Sequence, residues 1–312
     1  MTTLLVSHPS FLEHDTGPYH PERPDRLRAV LAALDDPAFA DLARVPAPTA
    51  SLEELTRVHP QDYVEAILGV RPGPGEHVHI DGDTVMSQGS AEAVQRAAGA
   101  AVTCVDAVMQ GQARTAFAAV RPPGHHASPA IPGGFCLFNN VAVAARHAQA
   151  RYGIERVAIL DFDVHHGQGT QAVVEPDRNL FYASTHQYPL YPGTGSPREH
   201  GIANNVINVP LPAGAGTREF RAAWAERILP ALNRFAPELV IISAGFDAHE
   251  SDPLGQLRLE DEDFIAMTRT VKQWAAEVCK GRIVSCLEGG YNLSTLGQTV
   301  RSHVRALNEE AE

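Results

Sequence analysis

The 312-residue chain lacks the features that mark several broad classes of protein. No apolar run approaches the roughly 18 residues that a membrane-spanning helix needs. Residues 1–6 have neither the basic region nor the small-residue cleavage site of a secretory signal. The four cysteines are widely spaced and form no C-x-x-C pair, which is typical of reduced thiols rather than of a disulfide framework. These deficits predict a cytoplasmic protein with no membrane partner.

Basic residues are also in the minority. The chain has 25 Lys and Arg against 37 Asp and Glu, a formal net charge of −12. A negative surface repels the phosphates of nucleic acids and of anionic lipids, so neither is expected as a partner. The charge is compatible with a cationic substrate, although acidity of this kind also serves solubility alone.

The remaining composition, 44% hydrophobic and 20% charged, is that of an ordinary globular protein. Short, continuously apolar runs indicate strands that are buried on both faces, as in a parallel sheet. These runs are residues 4–6, 115–120, 157–161, 180–184, 238–244 and 283–287. Helical patterns lie between them, at residues 24–34, 90–110, 138–152, 217–235, 261–279 and 294–307. The alternation predicts an α/β fold with right-handed crossovers, in one domain over residues 1–312.

The most informative segment is DFDVHHG at residues 161–167, which follows the third apolar run. Asp163 and His165 stand two apart, so in an extended segment their side chains point to one face. They lie where a buried strand gives way to a loop, the usual ligand-binding edge of an open α/β sheet. A carboxylate and an imidazole there predict part of a divalent metal site. A catalytic zinc site needs three protein ligands, so this pair is incomplete.

Three other strand ends carry residues that could complete a site. His125 and His126 follow a Pro-Pro-Gly turn after the second run, and such a pair favours acid–base chemistry, with one imidazole moving a proton and the other tuning its charge. Asp247 follows the fifth run and could be a third ligand, although a lone acid there is more often a helix cap or a loop residue. Two glycines and Tyr291 follow the last run, and the glycines permit a backbone that aims the phenol at the same edge.

In order and length, the motifs resemble those of the zinc-dependent histone deacetylase family. The resemblance is to its class II and bacterial histone deacetylase-like amidohydrolase branch, to which acetylpolyamine amidohydrolases are closely related. It covers nearly the whole chain and rests on HPERPDRL at residues 20–27, GGFCLFNN at 133–140, HHGQGTQ at 165–171, YPGTG at 191–195 and EGGY at 288–291. The resemblance implies the arginase–deacetylase fold, a central parallel sheet of eight strands flanked by helices. The active site would lie at the carboxyl ends of the strands.

The family's metal site and catalytic groups carry over by motif. The zinc ligands would be Asp163, His165 and Asp247, with one ion per chain. His126 would be the general base and then the general acid, His125 its electrostatic partner, and Tyr291 the donor to the oxyanion.

The residues behind these groups also match. Asp161 would hold His125, and Gln168 stands where family members carry Asp or Asn against His126. A neutral amide should leave His126 less cationic than a carboxylate would. The resemblance also implies a structural potassium ion, with ligands at Asp161, Ser184, Thr185 and the backbone carbonyls of Asp163 and His165.

The family's substrate tunnel is lined by two aromatic side chains, which Phe135 and Tyr191 match here, with Gly134 and Gly289 as further substrate-binding positions. The alternative for Phe135 is core packing. Arg26 faces either an internal cavity through which acetate leaves or the solvent at a helix surface. Cys136 resembles a nucleophile only superficially, because a metal amidohydrolase needs none.

The resemblance thus implies a hydrolase that removes acetyl or another short acyl group from N-acyl-lysine side chains or similar acylated amines. The closest alternative is acetylpolyamine deacetylation, for which Glu250 and Asp252 are candidate entrance acids, although such loop acids are usually just solvated. An arginase-like binuclear manganese hydrolase would need more carboxylates at the strand ends. The histidine pair and Tyr291 disfavour a non-catalytic metal-binding module. Hydroxamates should inhibit by chelation, and the loops at the N-terminus and at residues 77–83 could mediate a dimer or tetramer.

Overall fold

A computed structural model describes residues 3–309, in which strands and helices alternate along the chain. The strands are β1 (Leu4–Ser7), β2 (Ala43–Pro46), β3 (Val78–His79), β4 (Val85–Met86), β5 (Thr115–Ala118), β6 (Val157–Asp161), β7 (Leu180–Gln187), β8 (Val206–Leu211), β9 (Leu239–Ala244) and β10 (Ile283–Leu287). The helices are α1 (Pro24–Leu34), α2 (Leu52–Thr56), α3 (Gln61–Gly69), α4 (Ser90–Met109), α5 (Asn140–Tyr152), α6 (Gln168–Val174), α7 (Thr217–Ala223), α8 (Leu229–Phe235), α9 (Asp261–Val278) and α10 (Leu296–Asn308). A π-helical turn, Trp224–Ile228, joins α7 to α8, so residues 217–235 form one continuous helical stretch.

Eight of the strands form one sheet in the order β2-β1-β5-β10-β9-β6-β7-β8. Every neighbouring pair in this sheet is parallel. Strands β3 and β4 pair separately as a short antiparallel hairpin. The parallel eight-stranded sheet flanked by helices is therefore confirmed.

The four central strands are buried along their whole length. Every residue of β5, β6, β9 and β10 is buried. Because successive side chains point to opposite faces of a sheet, both faces must be covered. Helices α4 and α5 pack against each other and against these strands, while α10 packs against α1, α9 and β5. This double burial is the physical cause of the continuous apolar runs in the sequence.

Both edge strands, β2 and β8, lie outside the strands predicted from the sequence. No residue of β2 is buried, and β8 mixes buried and half-buried positions, so neither shows a continuous apolar run. The fourth run also continues further than predicted, because β7 extends through polar but buried residues to Gln187. The predicted loop at residues 77–83 contains the first strand of the β3–β4 hairpin. An oligomer contact through this region stays a prediction.

The sheet order brings the chemically interesting strand ends together. Strands β5, β10, β9 and β6 are consecutive neighbours, and each precedes one of the polar motifs. Because the strands are parallel, these motifs meet at one edge of the sheet. Across residues 3–309, none of the helices is both long and apolar enough to cross a bilayer.

Candidate metal centre and active site

Three buried side chains from two neighbouring strands form a compact cluster at this edge. Asp163 and His165 follow β6, and Asp247 follows β9. One ligand atom from each side chain can be chosen so that all lie within 4.8 Å of one another. The Nδ1 atom of His165 lies 3.1 Å from Asp163 Oδ1 and 3.1 Å from Asp247 Oδ2. The structure thus brings together the three predicted zinc ligands.

Backbone amides hold the two carboxylates in place. Asp247 Oδ1 accepts a hydrogen bond from the Val164 amide at 2.8 Å, and Asp163 Oδ2 accepts one from the Gly289 amide at 2.9 Å. A Cβ atom at Gly289 would lie 2.5 Å from Asp163 Oδ2 and would also collide with Asp247. Gly289 therefore has a steric role here, because only glycine lets the strand end approach both carboxylates.

The charge of the cluster is what a divalent cation would balance. Burial lowers the pKa of His165, but its hydrogen bonds to Asp163 and Asp247 outweigh burial and raise that pKa to about 10. Burial raises the pKa of Asp247 to about 7, and the charge on Asp163 adds to this effect. Two buried carboxylates around one imidazole thus stabilise positive charge strongly. Their oxygens and the ring nitrogen are ligands that zinc accepts, and three protein ligands leave a coordination position open, so the residues fit one zinc ion.

The tandem histidines divide into two different environments. Their ring centroids are 4.0 Å apart. His125 Nδ1 lies 3.0 Å from Asp161 Oδ2. Burial lowers the pKa of His125, but the charges of Asp161 and Asp163 outweigh burial and raise it to about 10. His125 is therefore a cation held by a carboxylate.

His126 has an amide partner instead. Its Nδ1 lies 2.6 Å from Gln168 Oε1, and Gln168 Nε2 donates to the His126 carbonyl oxygen at 3.2 Å. Burial lowers the pKa of His126 well below its usual value, and the positive charges of His125 and His165 lower it further. His126 is therefore neutral, although its hydrogen bond to Gln168 acts in the opposite direction on the pKa. Because the amide oxygen faces Nδ1, the ring proton is assigned to that atom, which leaves Nε2 with a free lone pair.

Tyr291 stands half-buried beside the cluster, after β10. Its ring lies 4.7 Å from the guanidinium carbon of Arg26 and 5.8 Å, centroid to centroid, from the ring of Phe135. Burial raises the pKa of its phenol well above the usual value, although the charge of Arg26 opposes this. The phenol therefore keeps its proton and can donate a hydrogen bond.

The predicted tunnel residues border the same groups. The ring of Tyr191 lies 5.1 Å from His126 and 6.2 Å from His165, and its side chain is 43% exposed, so it forms part of the rim. Phe135 is half-buried and packs on His20 and Tyr291 rather than in the main core. Gly134 has φ +54°, and a Cβ atom there would lie 2.7 Å from Cγ of His126. Only glycine permits that approach to the imidazole.

The predicted potassium ligands lie on adjacent strands, since Asp161 of β6 pairs with Ser184 of β7. The Asp161 carboxylate accepts hydrogen bonds from His125 and, at 2.9 Å, from the hydroxyl of Tyr182. The Ser184 hydroxyl lies 2.9 Å from Nδ1 of His186. Thr185 Oγ1 is a buried oxygen for which residues 3–309 offer no hydrogen-bond partner. Side chains of consecutive residues in one strand point to opposite faces of the sheet. At most one of the hydroxyls of Ser184 and Thr185 could therefore bind a common ion.

Two open alternatives are decided by burial. Arg26 is fully buried, which excludes the helix-surface alternative, and its guanidinium donates to the carbonyls of Glu288 and Gly290 and to Glu22. Cys136 is fully buried, and burial raises the pKa of its thiol well above the usual value. It therefore stays a thiol and is not a nucleophile.

Glu288, for which the sequence predicts no role, connects three strand ends. One of its carboxylate oxygens accepts from the backbone amides of Gly124, at 2.6 Å, and of His125, at 3.2 Å. The other accepts from the Ser243 hydroxyl at 2.9 Å. A glutamate directly after a buried apolar strand was the only signal available, and it does not reveal partners more than 40 residues away.

The metal geometry disfavours an arginase-like centre. Over residues 3–309, Asp163, His165 and Asp247 are the single group of three or more potential ligands that lie close enough to hold an ion. A binuclear manganese site would need further carboxylates beside them.

Comparisons with known proteins identify the family of the chain. The sequence profile of the histone deacetylase domain matches residues 20–307. A probable deacetylase of Archaeoglobus fulgidus is 39% identical over 299 residues, which cover 94% of this chain and 82% of the relative. A histone deacetylase-like amidohydrolase of Pseudomonas aeruginosa is 40% identical over 281 residues, which cover 88% of this chain and 73% of that protein.

Comparison with solved structures also points to the histone deacetylase family. The crystal structure of the HDA15 HD domain matches with a TM-score of 0.92 and 35% sequence identity, over 100% of this chain and 90% of that chain. The match supports the arginase–deacetylase fold. On the sequence profile, the relatives and the fold together, the chain belongs to the histone deacetylase family.

Proposed function

We propose that the protein is a zinc-dependent deacylase that hydrolyses N-acyl-lysine side chains or similar acylated primary amines. Membership of the histone deacetylase family supports a deacetylase-type hydrolase. The observation that carries the finer proposal is the position of a neutral His126, with Nε2 free, beside the cluster of Asp163, His165 and Asp247.

The residues would divide the chemistry as follows. Zinc held by Asp163, His165 and Asp247 would polarise the amide carbonyl and make water acidic enough to lose a proton near neutral pH. His126 Nε2 accepts that proton, while Gln168 holds the other ring proton on Nδ1. The carbonyl oxygen gains negative charge as water attacks.

The positive charge of His125 favours release of the proton from His126. His125 carries a positive charge 4.0 Å away, centroid to centroid, so a second cation on His126 is unfavourable. Protonated His126 is therefore a strong acid, and it releases the proton to the departing amine. The phenol of Tyr291 donates to the developing oxyanion, and such a donor contributes about 3 kcal/mol in comparable sites.

The rim supports a substrate carried on a flexible apolar chain. Tyr191 and Phe135 present aromatic faces beside His126 and Tyr291. Methylene groups of an acylated lysine or polyamine can pack on such rings. Asp252 is buried and bonded to backbone amides, so it is not an entrance acid that would select polyamines.

A substrate panel with metal content measured on the same sample tests the proposal. An acetyl-lysine peptide should be turned over in preference to acetylputrescine and acetylspermidine, and a hydroxamate should inhibit. Faster turnover of the polyamines would transfer the assignment to acetylpolyamine hydrolysis. A zinc-loaded sample that cleaves none of these substrates would contradict the proposal, and two metals per chain with ureohydrolase activity would favour the arginase-like alternative.

A further inference from the structure

A buried aspartate ties the loop of Tyr291 to the loop of a candidate metal ligand. Asp252 lies five residues after Asp247, and only 7% of its surface is exposed. Its Oδ2 accepts hydrogen bonds from the backbone amides of Tyr291, at 2.6 Å, and of Asn292, at 3.3 Å. Its Oδ1 accepts from the Leu254 amide at 2.9 Å. Both oxygens of this carboxylate are therefore committed to backbone donors.

The segment that carries Tyr291 has no regular structure of its own to fix it. It lies between the end of β10 and the start of α10, and Gly290 within it has φ +123°. No helical or sheet hydrogen bond holds the Tyr291 amide, so the position of the phenol depends on contacts from other segments. Arg26 holds the carbonyl of Gly290 at 2.6 Å. Asp252 accepts from the amide of Tyr291. Arg26 and Asp252 therefore bind the carbonyl and the N–H of the same peptide unit, between Gly290 and Tyr291.

The same tether reaches the metal ligands through the backbone. Asp252 and Asp247 belong to the same connection between β9 and α9, and the Ser251 carbonyl in this connection accepts from Asn292 Nδ2 at 2.8 Å. Hydrogen bonds from backbone amides to an ionised carboxylate are among the stronger ones in proteins. A shift of the segment that carries Asp247 would therefore also move Tyr291, and a shift of Tyr291 would move that segment.

We propose that Asp252 is a positioning residue that keeps the Tyr291 phenol in register with the metal-ligand loop. The proposal rests on the proposed function, because Tyr291 must act on the substrate for its position to affect the rate. Asp252 itself touches no reacting atom. Displacement of a catalytic group by about 1 Å can lower a rate by about a hundredfold, so loss of one tether has a measurable effect.

The isosteric variant Asp252→Asn isolates this role. An amide has one acceptor oxygen, and its NH2 group would face a backbone N–H that now finds no acceptor. In either orientation of the amide, the Tyr291 N–H loses its carboxylate acceptor, because it faces either the NH2 group or a neutral amide oxygen that accepts a weaker hydrogen bond. If Asp252→Asn does not fold, Asp252→Ser takes its place, because its shorter side chain leaves room for a water molecule.

A double-mutant cycle with Tyr291→Phe separates positioning from general stability. We expect Asp252→Asn to lower kcat about tenfold with little change in KM and with full zinc content. In the Tyr291→Phe background the same substitution should change kcat less than about twofold, because no phenol remains to be positioned. Equal effects in both backgrounds would overturn the proposal, and so would loss of zinc in Asp252→Asn.

Hydrogen exchange of the Tyr291 amide gives a readout that does not depend on activity. Asp252→Asn should speed exchange in residues 288–293, while Glu262→Gln, an exposed change in the first turn of α9, should alter neither exchange nor kcat. Unchanged exchange in Asp252→Asn would overturn the positioning role. An inactive wild-type protein whose exchange responds as expected would instead reject the proposed function and leave the tether established.

Discussion

Gln168 and His126 are joined by two hydrogen bonds, and the pair together assigns the ring proton of the histidine. The Gln168 amide nitrogen donates to the His126 carbonyl oxygen at 3.2 Å, so the amide oxygen must be the atom that lies 2.6 Å from Nδ1. Nδ1 then carries the proton, and Nε2 is the basic atom. The adjacent His125 has a carboxylate partner, Asp161, and its pKa shifts in the opposite direction.

Replacing Gln168 by glutamate should make His126 more basic. A carboxylate at Nδ1 stabilises the imidazolium and raises the pKa of His126 by about one unit or more. The base is then protonated over a wider acidic range, so the acid limb of the kcat/KM profile should move to higher pH. The measurement is the pH dependence of kcat/KM for Gln168→Glu and for the wild type.

The matched control places the same charge change far from the site. Gln112 is exposed just after α4, and Gln112→Glu should leave the profile unchanged. An acid limb that stays in place in Gln168→Glu would show that His126 is not the group whose protonation limits the rate.

What could be predicted from the sequence follows from how local each signal is. The central strands can be predicted because burial on both faces requires an unbroken apolar run. The exposed strand β2 does not need such a run. Asp163 and His165 are visible because two ligands two residues apart share a face. Glu288 and Asp252 both accept from backbone amides of other loops, and a backbone amide leaves no trace in residue identity.

The burial of Arg26 could not be predicted from the sequence either. Its place on α1 is compatible with either a solvated or a buried guanidinium. Only the fold shows that Glu22 and two carbonyl oxygens after β10 surround it and replace its hydration. Helical periodicity cannot predict the two carbonyl oxygens, because they come from the opposite end of the chain.

Removal of one carboxylate should abolish metal retention. Asp247→Ala deletes a ligand and leaves only Asp163 and His165, too few for a stable catalytic zinc site. Elemental analysis after dialysis should find less than about a tenth of the wild-type zinc content, since loss of a direct ligand exceeds the 10- to 100-fold affinity loss typical of outer groups. Glu250→Gln, in the same loop, should retain full zinc. Stoichiometric zinc in Asp247→Ala would remove Asp247 from the ligand set, and Asp163→Ala tests the other carboxylate in the same way.

Tyr291→Phe should separate catalysis from metal binding. The phenylalanine ring keeps the contacts with Arg26 and Phe135, so the fold and the zinc content should be retained. Loss of the phenolic donor should lower kcat about a hundredfold, as for other single oxyanion donors, with a small change in KM. Steady-state kinetics on a zinc-quantified sample measures both constants. A near-normal kcat would exclude Tyr291 as the oxyanion donor.

A buried histidine outside the metal cluster should make the fold sensitive to acid. His303 on α10 is fully buried, with its ring nitrogens 2.7 Å from the Thr268 hydroxyl and 2.9 Å from the Ser285 hydroxyl. Burial lowers its pKa to about 3, whereas an unfolded chain binds the proton near pH 6.5. Its contribution to stability is therefore full above pH 6.5 and is lost as the pH falls toward 3.

Between pH 7 and pH 5 this one residue should lower the free energy of unfolding by about 2 kcal/mol, because only the unfolded state gains the proton. His303→Gln removes this titration. Between pH 7 and pH 5 the free energy of unfolding of the variant should therefore fall by about 2 kcal/mol less than that of the wild type, even if the variant is less stable at pH 7. Urea unfolding at the two pH values measures the difference. His79→Gln, at an exposed position in β3, is the matched control and should keep the wild-type pH dependence. If His303→Gln also keeps it, other buried groups must account for the acid sensitivity.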